Sequence, residues 1–226
     1  MTTPVSRAHG DGRAPPDAGT LLDGVICDLG GVVIAIDPDR IRDHWAARSS
    51  LPRAEVHARF PDEHYLAFER DALTEREYLA HVRRQLELEG TDEELADDLC
   101  RIFLGIDQGT LRVLRDLRGR YTVVALTNTN RIHERVWSRL YETELEVFEH
   151  IHCSHDLRAR KPDPAAFTAV LDHHGLPASR TLFIDDLAAN VEAARELGMR
   201  GIVFHDAEQL AREVRTLEDG GSSAQT

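Results

Sequence analysis

Short apolar runs separated by helical patterning recur along this chain, at residues 25–27, 32–36, 122–126, 150–153, 181–184 and 201–204. A strand alternates its side chains between two faces, so a run that is apolar throughout predicts a strand covered on both sides. Most of these runs precede a helix signature. Asp163 and Pro164 read as an N-cap and a first-turn proline ahead of Phe167, Val170 and Leu171, and Gly175 stands where a left-handed cap ends the helix. The stretch from Leu187 through Val191, Ala194 and Leu197 to Gly198 has the same plan. Strand then helix, repeated, predicts an α/β fold with a Rossmann-like parallel sheet.

Between Asp37 and Gln108 the alternation stops and the pattern is continuously helical. Thr74 with Glu77 and Thr91 with Glu94 form capping boxes. The first helix puts Tyr78, Leu79, Val82 and Leu86 on one face, and the second does the same with Leu95, Leu99, Ile102 and Phe103. The expected organisation is a core built from 21–36 and 109–217, with a helical insertion at 37–108. Gly-, Ser-, Thr- and Pro-rich segments at 1–20 and 218–226 are expected to be flexible tails.

A chain of 226 residues can bury one substantial core plus a smaller unit. Its formal charge of −13 repels a nucleic-acid backbone and an anionic membrane, so neither is an expected partner. Small anions stay open, because a local lysine, N–H groups and a cation can outweigh a distant field. Cys27, Cys100 and Cys153 make no CxxC pair, and no run has the length of a signal or membrane segment, which together predict a cytoplasmic protein. Nothing in the sequence sets an oligomeric state.

Asp28 interrupts the apolar stretch from Val25 to Ile36. It reads either as a turn residue before Gly30-Gly31 or as a buried carboxylate that needs a cation or donors. Three later features also sit at the ends of apolar strands. Thr127-Asn128 follows VVAL and doubles as a helix cap, Arg160-Lys161-Pro162 precedes the Asp163 cap and doubles as a solvated basic pair, and Asp185-Asp186 follows TLFI. A helix N-terminus accounts for one carboxylate of that last pair more readily than for two. In an open parallel sheet these strand ends converge on one crevice. A carboxylate, a hydroxyl, a lysine and a carboxylate pair are the parts of a phosphoryl-transfer site.

The order Asp, Thr, Lys, Asp-Asp resembles the four motifs of the haloacid dehalogenase superfamily, and the helical insertion stands where that superfamily carries its cap. The segments DLGGVV, ALTNTNRIH, RKPDP and FIDDLAANVEAARELG are most similar to the bacterial phosphatases that act on alpha-D-glucose 1-phosphate and related sugar phosphates. The resemblance implies Asp28 as a nucleophile forming an aspartyl-phosphate, with Thr127 and the N–H of Asn128 holding phosphoryl oxygens. It implies Lys161 as the neutralising charge, and a magnesium ion held by Asp28, the carbonyl of Gly30 and Asp186, with Asp185 behind it or as an alternate. Glu69 and Arg70, in FERDALT, fall where the family's substrate loop lies, and a small phosphorylated metabolite is the implied partner.

Gly30 departs from the family pattern, which usually has an aspartate there to protonate the leaving oxygen. That help is worth about 10²–10⁴ in rate. Its loss leaves a slow enzyme, a substrate with a good leaving oxygen such as a sugar 1-phosphate, or a donor from the insertion, among His64, Glu69 and Asp71. A dehalogenase, which needs no metal, fits the Asp185-Asp186 pair poorly. A silent ligand-binding protein on the same scaffold is the reading from another class. His150, His152, Cys153 and His155 make a poor zinc set on a strand, because Cys153 points away from the first two.

Overall fold

The computed structural model describes residues 21–222. The predicted tail at 1–20 and residues 223–226 of the other lie outside them. The chain begins with β1 (Gly24–Cys27) and β2 (Ile34–Ile36), then enters the helices α1 (Pro38–Arg48), α2 (Arg53–Arg59), α3 (Glu63–Phe68), α4 (Glu75–Gln85) and α5 (Asp92–Leu99). It returns through β3 (Phe103–Ile106), α6 (Gln108–Arg118), β4 (Thr122–Thr127), α7 (Arg131–Leu140), α8 (Glu142–Leu145), β5 (Ile151–Cys153) and α9 (Ser154–Leu157). The last elements are α10 (Pro164–His174), β6 (Thr181–Asp185), α11 (Ala188–Glu196), β7 (Arg200–Val203) and α12 (Ala207–Ser222).

Five strands form one parallel sheet in the order β5-β4-β1-β6-β7. The uniformly apolar runs follow from cover on both faces. Val25, Cys27, Val123, Ala125, Leu182 and Ile184 face α6 and α12 through Leu111, Leu114, Leu210 and Val214. Ile26, Val124, Leu126 and Phe183 face α10 and α11 through Phe167, Val170, Val191 and Ala194. β1 lies at the centre, with Gly24 in register with both Thr122 and Thr181.

Residues 32–36 do not make a strand of this sheet. The N–H groups of Val32, Val33 and Ile34 all point at the Leu29 carbonyl, closing a turn, and only Ile34–Ile36 is extended. It pairs with β3 in an antiparallel ribbon, Ile34 opposite Ile106 and Ala35 opposite Gly105. This also corrects the reading of 103–106 as helical: Gly105 has φ +136°, which no helix accommodates. Helices α1, α4 and α5 bury Trp45, Tyr78, Leu79, Val82, Leu95 and Leu99 against one another. Both capping boxes are formed, the N–H groups of Thr74 and Thr91 each donating to the glutamate three residues on at 2.8 Å. Ile36 and Phe103, on the ribbon, pack against this helical core and the sheet's core at once. Residues 218–222, read as tail, continue α12. Glu218 there pairs with Arg120 and accepts from the Tyr121 hydroxyl at 2.9 Å. No helix among the described residues is long and apolar enough to cross a membrane.

Candidate active site

Because β4, β1 and β6 are parallel neighbours, their carboxyl ends lie side by side. Thr127 and Asp185 end β4 and β6, and Asp28 follows β1, its N–H donating to the Ile184 carbonyl at 2.8 Å. Lys161 arrives from the segment between α9 and α10. Its backbone is locked to Asn128: the Lys161 N–H donates to Oδ1 and the Lys161 carbonyl accepts from Nδ2, each at 2.9 Å. The buried Lys161 Nζ then sits 2.9 Å from Asp28 Oδ1 and 2.7 Å from Asp185 Oδ2.

Each carboxylate has a different surrounding. Asp28 Oδ1 accepts from the Leu29 N–H at 2.7 Å as well as from Lys161, which leaves Oδ2 for other work. Asp185 is fully buried and accepts from Lys161, the Leu187 N–H at 2.8 Å and the Asn190 amide at 3.0 and 3.1 Å. Asp186 is only half-buried and presses on the backbone of Gly31, where a Cβ would stand 2.4 Å from Asp186 Oδ2. Gly31 also has φ +81°, so a side chain there is disfavoured twice over.

One oxygen from each of Asp28, Asp185 and Asp186 lies within 4.8 Å of the others. Burial pushes Asp28 up to about 7, the charges of Asp185 and Asp186 adding to the rise and Lys161 opposing it. Burial and Asp185 push Asp186 up too. Burial works against the charge of Lys161, but Asp28 and Asp185 outweigh it and hold the ammonium above its usual range. Among the described residues, Lys161 is the cation bonded to this cluster, so negative charge is in excess. A divalent ion with hard oxygen ligands relieves that excess, and the donor set, three carboxylates with Asp186 beside the Gly31 backbone, is of the type magnesium takes.

A cavity of about 270 Å³ opens beside these strand ends, lined by Gly30, Thr127 and Asn128 at one side and by residues of α1, α3 and the ribbon at the other. Glu69 lines it, and Arg70 is not among the lining residues. Glu69 is buried, accepts from Arg160 Nε at 2.9 Å and bonds to Tyr65; burial raises its pKa against the pull of Arg160. The other two candidate donors lie elsewhere: Asp71 pairs with Arg131 at 3.1 Å, and His64 stacks on His81 with ring centres 3.5 Å apart. A Cβ at Gly30 would meet Ile36 Cδ1 at 3.3 Å, so the place of the family's acid faces an aliphatic side chain.

Sequence reading missed Asn190, Gly31, Tyr65 and His133. Asn190 left a usable trace, as a polar residue on the apolar face of α11 with Val191 and Ala194, and it is 3% exposed. The others are placed by partners distant in sequence. The histidines and Cys153 divide between two groups: His152 meets His173 and His174, while Cys153 and His155 meet Glu134 and Asp156.

Several curated relatives align along most of the chain. The D-ribitol-5-phosphate phosphatase of Bacteroides thetaiotaomicron is 28% identical over 79% of this chain and 89% of its own length. The sesquiterpene phosphatase astK of Aspergillus oryzae is 26% identical over 88% of this chain and 97% of its own. The chain spans about a third of the length of two other curated relatives it matches. Among solved structures, a HAD family enzyme from Bacteroides thetaiotaomicron in complex with magnesium and inorganic phosphate superposes with a TM-score of 0.73. It is 26% identical, covering 82% of this chain and 95% of that one. The family model described as haloacid dehalogenase-like hydrolase matches residues 22–198, a span that holds every strand-end residue of the cluster and all the helices between β2 and β3, and the chain belongs to that family.

Proposed function

We propose that the chain is a magnesium-dependent phosphatase acting on a small phosphomonoester through an aspartyl-phosphate on Asp28. The observation that carries this is the meeting of Asp28, Lys161, Asp185 and Asp186 within hydrogen-bond and metal-ligand distances at the carboxyl ends of β1 and β6. Phosphatase relatives along most of the chain and a magnesium-phosphate complex of a similar structure support it.

Asp28 Oδ2, the oxygen not held by Leu29 and Lys161, attacks phosphorus, and the bond from phosphorus to the alcohol oxygen breaks. Thr127 and the Asn128 N–H face the phosphoryl oxygens from the cavity wall, and Lys161 balances charge on Asp28 and phosphate. The departing alkoxide takes its proton from solvent, since residue 30 offers none. Water then attacks phosphorus, releasing phosphate and restoring the carboxylate. Asp28, Asp186 and the Gly30 carbonyl would hold magnesium, with Asp185, whose oxygen lies in the same cluster, fixing Lys161 and Asn190. The ion would supply Lewis-acid stabilisation of phosphoryl charge.

Phosphate release assays on the purified chain test this reading. Activity should need magnesium, disappear with chelator, and fall at least about 10⁴-fold in Asp28→Asn. Wild-type protein quenched in acid during turnover should carry an alkali-labile phosphoryl group on Asp28. Turnover retained in Asp28→Asn would remove the nucleophile assignment. No turnover on any ester, with magnesium still bound, would favour the silent ligand-binding reading that Gly30 raises.

A further inference from the structure

The polar side chains of Arg42, Glu69, Thr129 and His133 in the cavity wall each already carry at least one hydrogen bond within the protein, which weakens their call on a ligand. Arg42 Nε donates to the Phe60 carbonyl at 3.1 Å, and its Nη1 pairs with Asp39. Glu69 accepts from Arg160 and Tyr65. His133 Nε2 donates to the Leu99 carbonyl at 3.0 Å and its Nδ1 meets the Asn130 amide at 3.3 Å. Thr129 Oγ1 accepts from Trp137 Nε1 at 3.4 Å. Beyond the phosphate end, the remaining wall is largely Leu29, Ile34, Ile36, Ile41, Phe60 and Phe103.

A sugar or polyol would bring several hydroxyls into this space. Each hydroxyl buried without a partner weakens binding roughly tenfold. An apolar group meets no such loss and is favoured by the same walls. At roughly 30 Å³ for each water-sized group, a cavity of about 270 Å³ holds about nine of them, the phosphoryl group at the Thr127 end included.

Resting on the phosphatase reading, we infer that the alcohol part of the substrate is apolar: the ester is a monophosphate of an aliphatic alcohol, not of a sugar. The aliphatic face that Ile36 turns toward Gly30 belongs to the same wall. An acid at residue 30 would have been set against it.

The test is a series of straight-chain alkyl monophosphates from two to twelve carbons, kept below micelle formation, alongside glucose 6-phosphate. All are esters of primary alcohols, so leaving-group chemistry is held constant. In the presence of magnesium, kcat/KM should rise about fourfold per methylene and level off once the chain fills the cavity. Glucose 6-phosphate should lie more than about 10³-fold below decyl phosphate. Ile36→Asn should flatten the chain-length slope. A flat series in the wild type, or glucose 6-phosphate equal to decyl phosphate, overturns the inference and leaves the phosphatase reading standing. If no ester, p-nitrophenyl phosphate included, releases phosphate, the phosphatase reading falls. The inference is then decided by binding, read from the emission of Trp137 in the cavity wall as alkyl phosphates are titrated. Dissociation constants that tighten with chain length sustain it, and constants independent of length overturn it.

Discussion

In the proposed reaction Gly30 offers no proton to the departing alcohol, and Ile36 stands beside it. Glu69, the acid that lines the cavity, is held by Arg160 and Tyr65 and ties the end of α3 to the segment before α10. The rate should therefore depend steeply on the basicity of the leaving alcohol. Aryl phosphates should turn over about 10² or more times faster than alkyl phosphates of similar size, because general acid assistance of about that size is missing. Glu69→Gln should leave this slope unchanged. A shallow slope in the wild type that steepens in Glu69→Gln would instead make Glu69 the proton donor. At this scale the sequence was informative where chemistry interrupts hydrophobicity: Asp28, Thr127 and Asp185-Asp186 each break or end an apolar run. Lys161 was legible through the Pro162-Asp163-Pro164 segment after it, but the clasp with Asn128 that aims it spans 33 residues and has no local signature.

Elements were legible in proportion to how far local pattern agrees with tertiary context. The sheet strands and α10 carry their own signals of doubly buried runs, an N-cap, a first-turn proline and a left-handed Gly175 at φ 62°. The ribbon of β2 and β3 does not, since its pairing joins residues on either side of the whole helical segment. Helical periodicity ran into Phe103 because a residue shared by two cores is apolar under either reading. β5 and the end of α10 carry a further consequence. His150 and His152 on one side and His173 and His174 on the other lie with ring centres 4.3–6.2 Å apart, with Glu149 and Asp156 as the nearby acidic groups. Burial, then the neighbouring imidazoles, lowers His152 to about 3. Its folded value lies below the unfolded value, about 6.5, so between those limits the unfolded chain binds more protons. Stability from this cluster is complete above about pH 6.5 and is lost as pH falls toward 3. Urea unfolding at pH 7.5 and 5.0 should show a larger loss of midpoint for the wild type than for the double variant His173→Asn, His174→Asn. Equal losses would mean that His173 and His174 do not help to hold His152 low.

For the whole molecule, fold class followed from the strand and helix alternation, while the shape and lining of the cavity did not, because it is assembled from α1, α3, the ribbon and the ends of β1 and β4. Charge acts at the same scale. A formal charge of −13 repels every phosphate that approaches, whereas Lys161, buried between Asp28 and Asp185, attracts it only at contact. The two effects separate by ionic strength. The field of an exposed charge reaches about 30 Å at 0.01 M salt and about 8 Å at 0.15 M, so added salt removes the long-range repulsion and leaves the buried contact nearly intact. Inorganic phosphate, which has no apolar part, isolates the effect. As a competitive inhibitor with magnesium held saturating, it should bind about threefold or more tightly at 0.15 M than at 0.01 M salt. Inhibition that weakens with salt instead would mean that exposed basic groups near the cavity mouth, and not Lys161 and the ion, dominate capture of the phosphate.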